Sequence, residues 1–145
     1  MKNKILILAT VLLSVFSSFA NGLDVPAFVT AEFQKDFSKA TNVKWESRKQ
    51  YYEASFVIDD VKMSAYYNLD GEKIGISRNI VANQLPLNLQ LSLNELKSDY
   101  TITEMKEAVM EDQTTFYVVL EKAGEQKILK SDSNTWTVFR KTKTH

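Results

Sequence analysis

Carboxylates come in pairs in this chain: Asp59 with Asp60, Glu104 with Glu107, and Glu111 with Asp112. Two carboxylates that flank one cleft can run acid–base hydrolysis of the glycosidase type. Asp59–Asp60 and Glu111–Asp112, however, fall at turns, where aspartate is favoured by its own hydrogen bonds to nearby backbone. Glu104 and Glu107 have opposite parity on a strand and so face opposite ways. The one histidine, His145, is the last residue, a poor place for the base of a Ser–His–Asp set. With no cysteine there is no thiolate nucleophile, thiolate–metal site or disulfide. The stretch "NLDGE" (68–72) opens like a calcium loop but lacks the later ligands and the bidentate glutamate. The four glycines are isolated, so no phosphate cradle forms. These observations predict no catalytic residue, no metal and no cofactor.

Tyrosines are the remaining chemistry. "YYEASFVIDDVKMSAYYNLDGEKIGIS" (51–77) carries two tyrosine pairs on strand-like segments. A two-residue turn at Asp59–Asp60 pairs Ile58 with Val61, Phe56 with Met63, Ala54 with Ala65 and Tyr52 with Tyr67, all apolar or aromatic. The other face pairs Val57 with Lys62, Ser55 with Ser64, Glu53 with Tyr66 and Tyr51 with Asn68. A slip by one residue would mix the two sets, so this register is strongly specified. A type I′ turn at Asp70–Gly71 then pairs Tyr67 with Ile74, Ala65 with Ile76, and Tyr66 with Gly75. Tyr52 and Tyr67 are expected in the core, and Tyr51 and Tyr66 on an open polar face. Tyr51, Glu53, Ser55, Lys62, Ser64 and Tyr66 form the candidate binding surface, since tyrosine beside small polar residues gives large contact area at little rotamer cost. The plainer alternative is a solvated sheet face, or an aromatic shielding Gly75. On this reading Tyr66→Ala leaves folding nearly intact, whereas Tyr67→Ala costs about 3–5 kcal/mol.

The elements that position these strands follow from periodicity. "DVPAFVTAEFQKDFSKA" (24–40) reads as a helix, with Asp24 as cap, Pro26 in the first turn, and Val29, Phe33 and Phe37 on one face. "NVKWES" (42–47) alternates as a strand. "LPLNLQLSLNELKSDY" (85–100) alternates its leucines, yet Leu89, Leu93, Leu96 and Tyr100 also keep a helical stripe. Leucine's helix propensity and Pro86 at a first turn favour a helix from about 87 to 98. Strands are expected over 101–110, 114–122, 126–131 and 135–141, with turns at Asp112–Gln113, Ala123–Gly124 and Ser133–Asn134. "FYVVL" is apolar on both faces, which leaves register in this half open. The order suggests an α+β fold: two tandem helix-plus-four-strand units, about 24–82 and 85–141, forming one antiparallel sheet with helices packed on one face.

The N-terminus supplies an address. Lys2 and Lys4 precede a mostly apolar run (5–16), and Ser18 and Ala20 sit at the −3 and −1 positions of a cleavage site. The run is shorter than the ~20 apolar residues a bilayer requires. Residues 1–20 are therefore expected to be a cleaved signal peptide, with 21–145 a periplasmic or secreted domain and no membrane span after cleavage. Without Lys2 and Lys4, 16 basic residues face 18 acidic ones, a net charge of −2 that does not favour nucleic acid.

"NVKWE", "YYEASF", "AYYNLDG", "LP" opening a second helix and "YTITEM", in that order, resemble the PepSY-like group of exported bacterial proteins. These are common in Bacteroidetes and are also described as resembling the β-lactamase inhibitory protein. "DSNTW" departs from the group's second "DG"-type turn. The resemblance implies one long sheet with helices over one face and the other face open and often concave. It implies no catalytic residues. By analogy with the inhibitor, it points to a protein or peptide partner in the cell envelope, bound by the open face. The alternative from another class is a carboxylate-dependent hydrolase acting on exported substrates. That enzyme requires a closed pocket with two carboxylates, one of strongly shifted pKa.

Overall fold

The computed structural model describes residues 25–97 and 99–143. The expected signal peptide, the Asp24 cap and His145 lie outside the described residues.

Helix α1 spans Ala27–Asp36. Pro26 holds the N-cap position without a side-chain cap, and Phe37 leaves helical geometry, so the helix is shorter than its periodic pattern. Strands β1 (Thr41–Ser47), β2 (Tyr51–Ile58), β3 (Val61–Asn68) and β4 (Lys73–Asn79) follow. A 3₁₀ turn (Ala82–Gln84) leads into α2 (Leu87–Leu96). The chain ends in β5 (Thr101–Met110), β6 (Gln113–Lys122), β7 (Glu125–Ser131) and β8 (Thr137–Lys143). All eight strands form a single sheet in chain order, with every neighbouring pair antiparallel.

The expectation of two tandem helix-plus-four-strand units is corrected here. Strand takes 54% of the described residues and helix 19%, in one continuous eight-stranded sheet. β4 pairs directly with β5, from Gly75↔Met110 to Asn79↔Lys106, so the ladder crosses the supposed boundary. The side chains cross it too. Ile80, from the first supposed unit, lies in the cluster of Leu89, Leu93, Val118 and Leu120, while Met110 packs on Tyr51 and Tyr66.

Turn chemistry sets most registers. Asp59 and Asp60 both have positive φ (48° and 64°), the geometry of a type I′ turn, and all eight β2–β3 pairs are those expected. Asp70–Gly71 behaves differently. Only Gly71 has positive φ (85°). Asn68 Oδ1 accepts hydrogen bonds from the backbone of Asp70 (3.0 Å) and Glu72 (2.9 Å), drawing out a longer loop. The ladder therefore shifts after Tyr66↔Gly75: Tyr67 pairs with Lys73, and Ile74 packs against Tyr51 and Tyr66 instead. The next turn centres on Glu111 (φ 48°) and Asp112 (φ 65°), one residue earlier than expected.

Both helices cover the same sheet face. Val29 and Phe33 of α1 are buried on Ala54, Phe56, Ala65 and Tyr67. The Phe33 ring meets Trp45 and Phe56 edge-on, with centroids at 5.3 and 5.0 Å. On α2, Leu89 and Leu93 are buried while Leu87 and Leu91 are exposed, which decides the leucine pattern for a helix. Leu96, expected on the buried stripe, is 48% exposed. Trp136 Nε1 donates to the Leu89 carbonyl at 3.0 Å, tying the β7–β8 connection to α2.

Candidate functional site: the helix-free face of the sheet

Alternation along each strand sends every second side chain away from the helices. On β2 and β3 those are Tyr51, Glu53, Ser55, Lys62, Ser64 and Tyr66, and their register brings all six onto one patch. The structure corrects their expected exposure. Lys62 is exposed and Ser55 and Ser64 are half-buried, but Tyr51 (4% exposed), Glu53 (5%) and Tyr66 (0%) are buried. Tyr52, on the helix side, is half-buried, and its partner Tyr67 is fully buried.

The cause is lateral packing across the strands. Ile74 and Met110 close around Tyr51 and Tyr66, whose rings meet edge-on at 6.1 Å. The Tyr66 hydroxyl shares a hydrogen bond with Ser77 Oγ at 3.0 Å, beneath the surface. Gly75 lies opposite Tyr66, and the space a side chain would take there is filled by Met110, whose sulfur lies 1.9 Å from an added Cβ position. Burial, then the Glu53 charge, pushes the Tyr66 hydroxyl far above its ordinary pKa.

Glu53 is the unusual member. Its Oε2 is buried and has no hydrogen-bond partner among the described residues. Burial raises its pKa, a hydrogen bond with Ser64 opposes this, and the charge of Glu46 adds to it. Glu46 sits directly across on β1. Ser55 Oγ and Ser64 Oγ lie 3.4 Å apart beside this carboxyl. The group is a hydrogen-bond acceptor, or a donor when protonated, at the edge of an aromatic floor.

Sequence reasoning missed the other half of this face. Ala108, Tyr117, Val119 and Ile128 form a second cluster, flanked by Met110 and Phe139. Met110 belongs to both clusters, so an apolar band crosses the sheet from β2 to β8. Tyr117 and Phe139 meet edge-on at 6.0 Å, and burial pushes the Tyr117 hydroxyl up to about 12. The signal was the parity of Tyr117, Val119 and Ile128, unusable while the register of "FYVVL" was open. No group of acidic or histidine side chains among the described residues is arranged to hold a metal ion.

The whole defines an α+β protein with one helix-free, partly aromatic sheet face. No family model matches the chain, and no curated protein matches it. Solved structures do. A DUF2874 family protein from Bacteroides uniformis superposes with a TM-score of 0.71 at 15% identity, covering 82% of this chain and 89% of its own. A BLIP-like protein from Bacteroides fragilis gives 0.66 at 17% identity, covering 85% and 89%. A candidate periplasmic protein from Bacteroides eggerthii gives 0.73 at 16% identity, covering 84% and 90%. At these identities the likeness shows a shared fold, of the BLIP-like kind. Among the described residues, no helix is long and apolar enough to cross a membrane.

Proposed function

We propose that this protein is an exported, non-catalytic binding domain that recognises a protein or peptide of the cell envelope through the helix-free sheet face. A divergent kinship with the PepSY-like group, an inhibitor-like mode of action and a periplasmic or secreted location belong to the same proposal. The observation that carries it is Glu53: a buried carboxyl with an unpartnered oxygen on a face that no described helix covers. Ser55, Ser64 and exposed Lys62 would supply the accessible contacts, and a partner's donor that displaces the side chains over Glu53 would satisfy its buried oxygen. The fold shared with a BLIP-like protein supports the reading by analogy.

The experiment is affinity capture from an envelope fraction, with each captured protein re-tested in pure form against Lys62→Glu and Ser64→Arg variants of confirmed fold. Support requires a partner whose affinity falls at least tenfold in Ser64→Arg. A partner that binds both variants like the parent would place its site elsewhere and sink the proposal. The carboxylate-dependent hydrolase keeps one supporting observation, the raised Glu53 opposite Glu46. It requires a hydrolytic activity that Glu53→Gln abolishes.

A further inference from the structure

On the helix-bearing side, α1 and the β3–β4 loop form the walls of a half-open cavity of about 390 Å³. Glu32 and Asp36 line it from α1, four residues apart and so on one helix face. Asp70 and Glu72 line it from the loop. The Phe28 ring lies against Gly71, whose φ of 85° lets the loop wrap the helix there. Four carboxylates and one ammonium, that of Lys73, thus line the cavity; Asp36 holds the ammonium at 2.7 Å, and Glu72 Oε2 accepts from Asn68 Nδ2 at 2.8 Å.

Acidic residues in a cluster would not by themselves make a site. Tyr67 supplies a second observation. It lines the same cavity, it is fully buried, and its hydroxyl has no hydrogen-bond partner among the described residues. After burial itself, the charges of Asp36 and Glu32 raise that hydroxyl's pKa, so it feels the field of two carboxylates that line the cavity with it. A buried hydroxyl is normally satisfied, and this one, unpartnered beside negative charge, can accept from an N–H donor once the side chains that cover it give way.

We propose that this cavity binds an organic cation, a protonated primary amine, with the Tyr67 hydroxyl accepting one of its N–H groups and the carboxylates of Glu32, Asp70 and Glu72 balancing its charge. The carboxylates are too dispersed to coordinate a metal ion together. A multi-atom cation with several N–H groups can reach them severally. Lys73 holds part of the site in the free protein and must yield, as must the exposed Lys35 that pairs with Glu32. Exposed ion pairs of this kind are readily exchanged. The site lies opposite the helix-free face, because Tyr67 and Tyr66 alternate, so it stands or falls independently of the function proposed above.

Two probes separate the sources of such a cation: cadaverine as a free diamine, and a terminally blocked Ala-Lys-Ala peptide with its Nε-acetylated form as control. Amide NMR shifts at Gly71 and Lys73 report binding. Binding of cadaverine assigns a small amine; binding of the lysine peptide alone assigns a peptide side chain. In either case Tyr67→Phe weakens binding about tenfold, the loss of one hydrogen bond to a charged group. Lys73→Gln strengthens it severalfold by removing the internal competitor. Neither variant melts more than a few degrees below the parent. The absence of Gly71 and Lys73 shifts with both probes at millimolar concentration overturns the proposal. Equal affinity in the parent, Tyr67→Phe and Lys73→Gln does the same.

Discussion

Tyr66 and Tyr67 are adjacent, both fully buried, and open to one identical perturbation: removal of the hydroxyl by phenylalanine. The structure makes the two outcomes differ. In Tyr66→Phe the 3.0 Å bond to Ser77 is lost, and Ser77, itself 5% exposed, is left with a stranded hydroxyl. That costs about 1–3 kcal/mol, the usual penalty for an orphaned buried polar group. In Tyr67→Phe no hydrogen bond among the described residues is lost, and a buried unsatisfied hydroxyl disappears. The expected change is zero to about 1 kcal/mol of added stability. Urea denaturation resolves this: with m of ~1–2 kcal/mol/M, the midpoints of the two variants separate by about 0.5 M or more. Both should keep the parental m-value, since neither alters the surface exposed on unfolding. Equal midpoints, or Tyr67→Phe as the weaker variant, would refute the hydrogen-bond assignment. The alanine pair should not discriminate. Tyr66→Ala and Tyr67→Ala should each cost about 3–5 kcal/mol, and the expectation that Tyr66→Ala is nearly silent is withdrawn.

Phe33→Ala should cost about 3–5 kcal/mol, because it empties the centre of the α1 cluster and removes edge contacts to Trp45 and Phe56; a loss under 1 kcal/mol in chemical denaturation would mean α1 is not docked there. Gly71→Ala should lose about 1–2 kcal/mol, since φ of 85° disfavours a side chain and the new Cβ would lie 2.6 Å from the Phe28 ring; an unchanged melting temperature would contradict this. Glu53→Gln tests the raised carboxyl through pH. The folded state holds the Glu53 proton more tightly than the unfolded chain, so stability from the neutral form is complete below the ordinary value of 4.5 and is lost as pH rises through the raised folded value. The parent should therefore lose stability relative to Glu53→Gln across that window, and parallel stability–pH curves would exclude the buried charge.

The first hairpin was legible because its two faces differ in kind and its turn has only one good register. Asp59 and Asp60 adopt the expected left-handed conformations, and every pair from Ile58↔Val61 to Tyr51↔Asn68 follows. Alternation says which side chains share a face; it does not say whether water reaches that face. Tyr51 and Tyr66 were placed together, but their burial depends on Met110, which meets Gly75 only through β4–β5 pairing. Those strands are joined through a helix, so no tight turn reports their register. Asp70–Gly71 misled for a local reason. The Asn68 side chain captures two backbone N–H groups, and the loop lengthens at the cost of the two-residue turn. The tandem reading failed because matched element order says nothing about whether hydrogen-bonding continues across the join, and here it does.

One property of the sheet reaches beyond its face. Strand neighbours in space are neighbours along the chain throughout, with tight reversals at Asp59–Asp60, Glu111–Asp112 and around Gly124. Closing so small a loop is fast and entropically mild, which places the molecule towards the quick end of antiparallel architectures. Only β4 has to wait, for the helix that precedes β5; every other strand finds its mate in the next few residues of chain. A chain emerging gradually from a ribosome or a translocation pore can accordingly lay down this sheet ribbon by ribbon, keeping at most one unpaired border at its growing end.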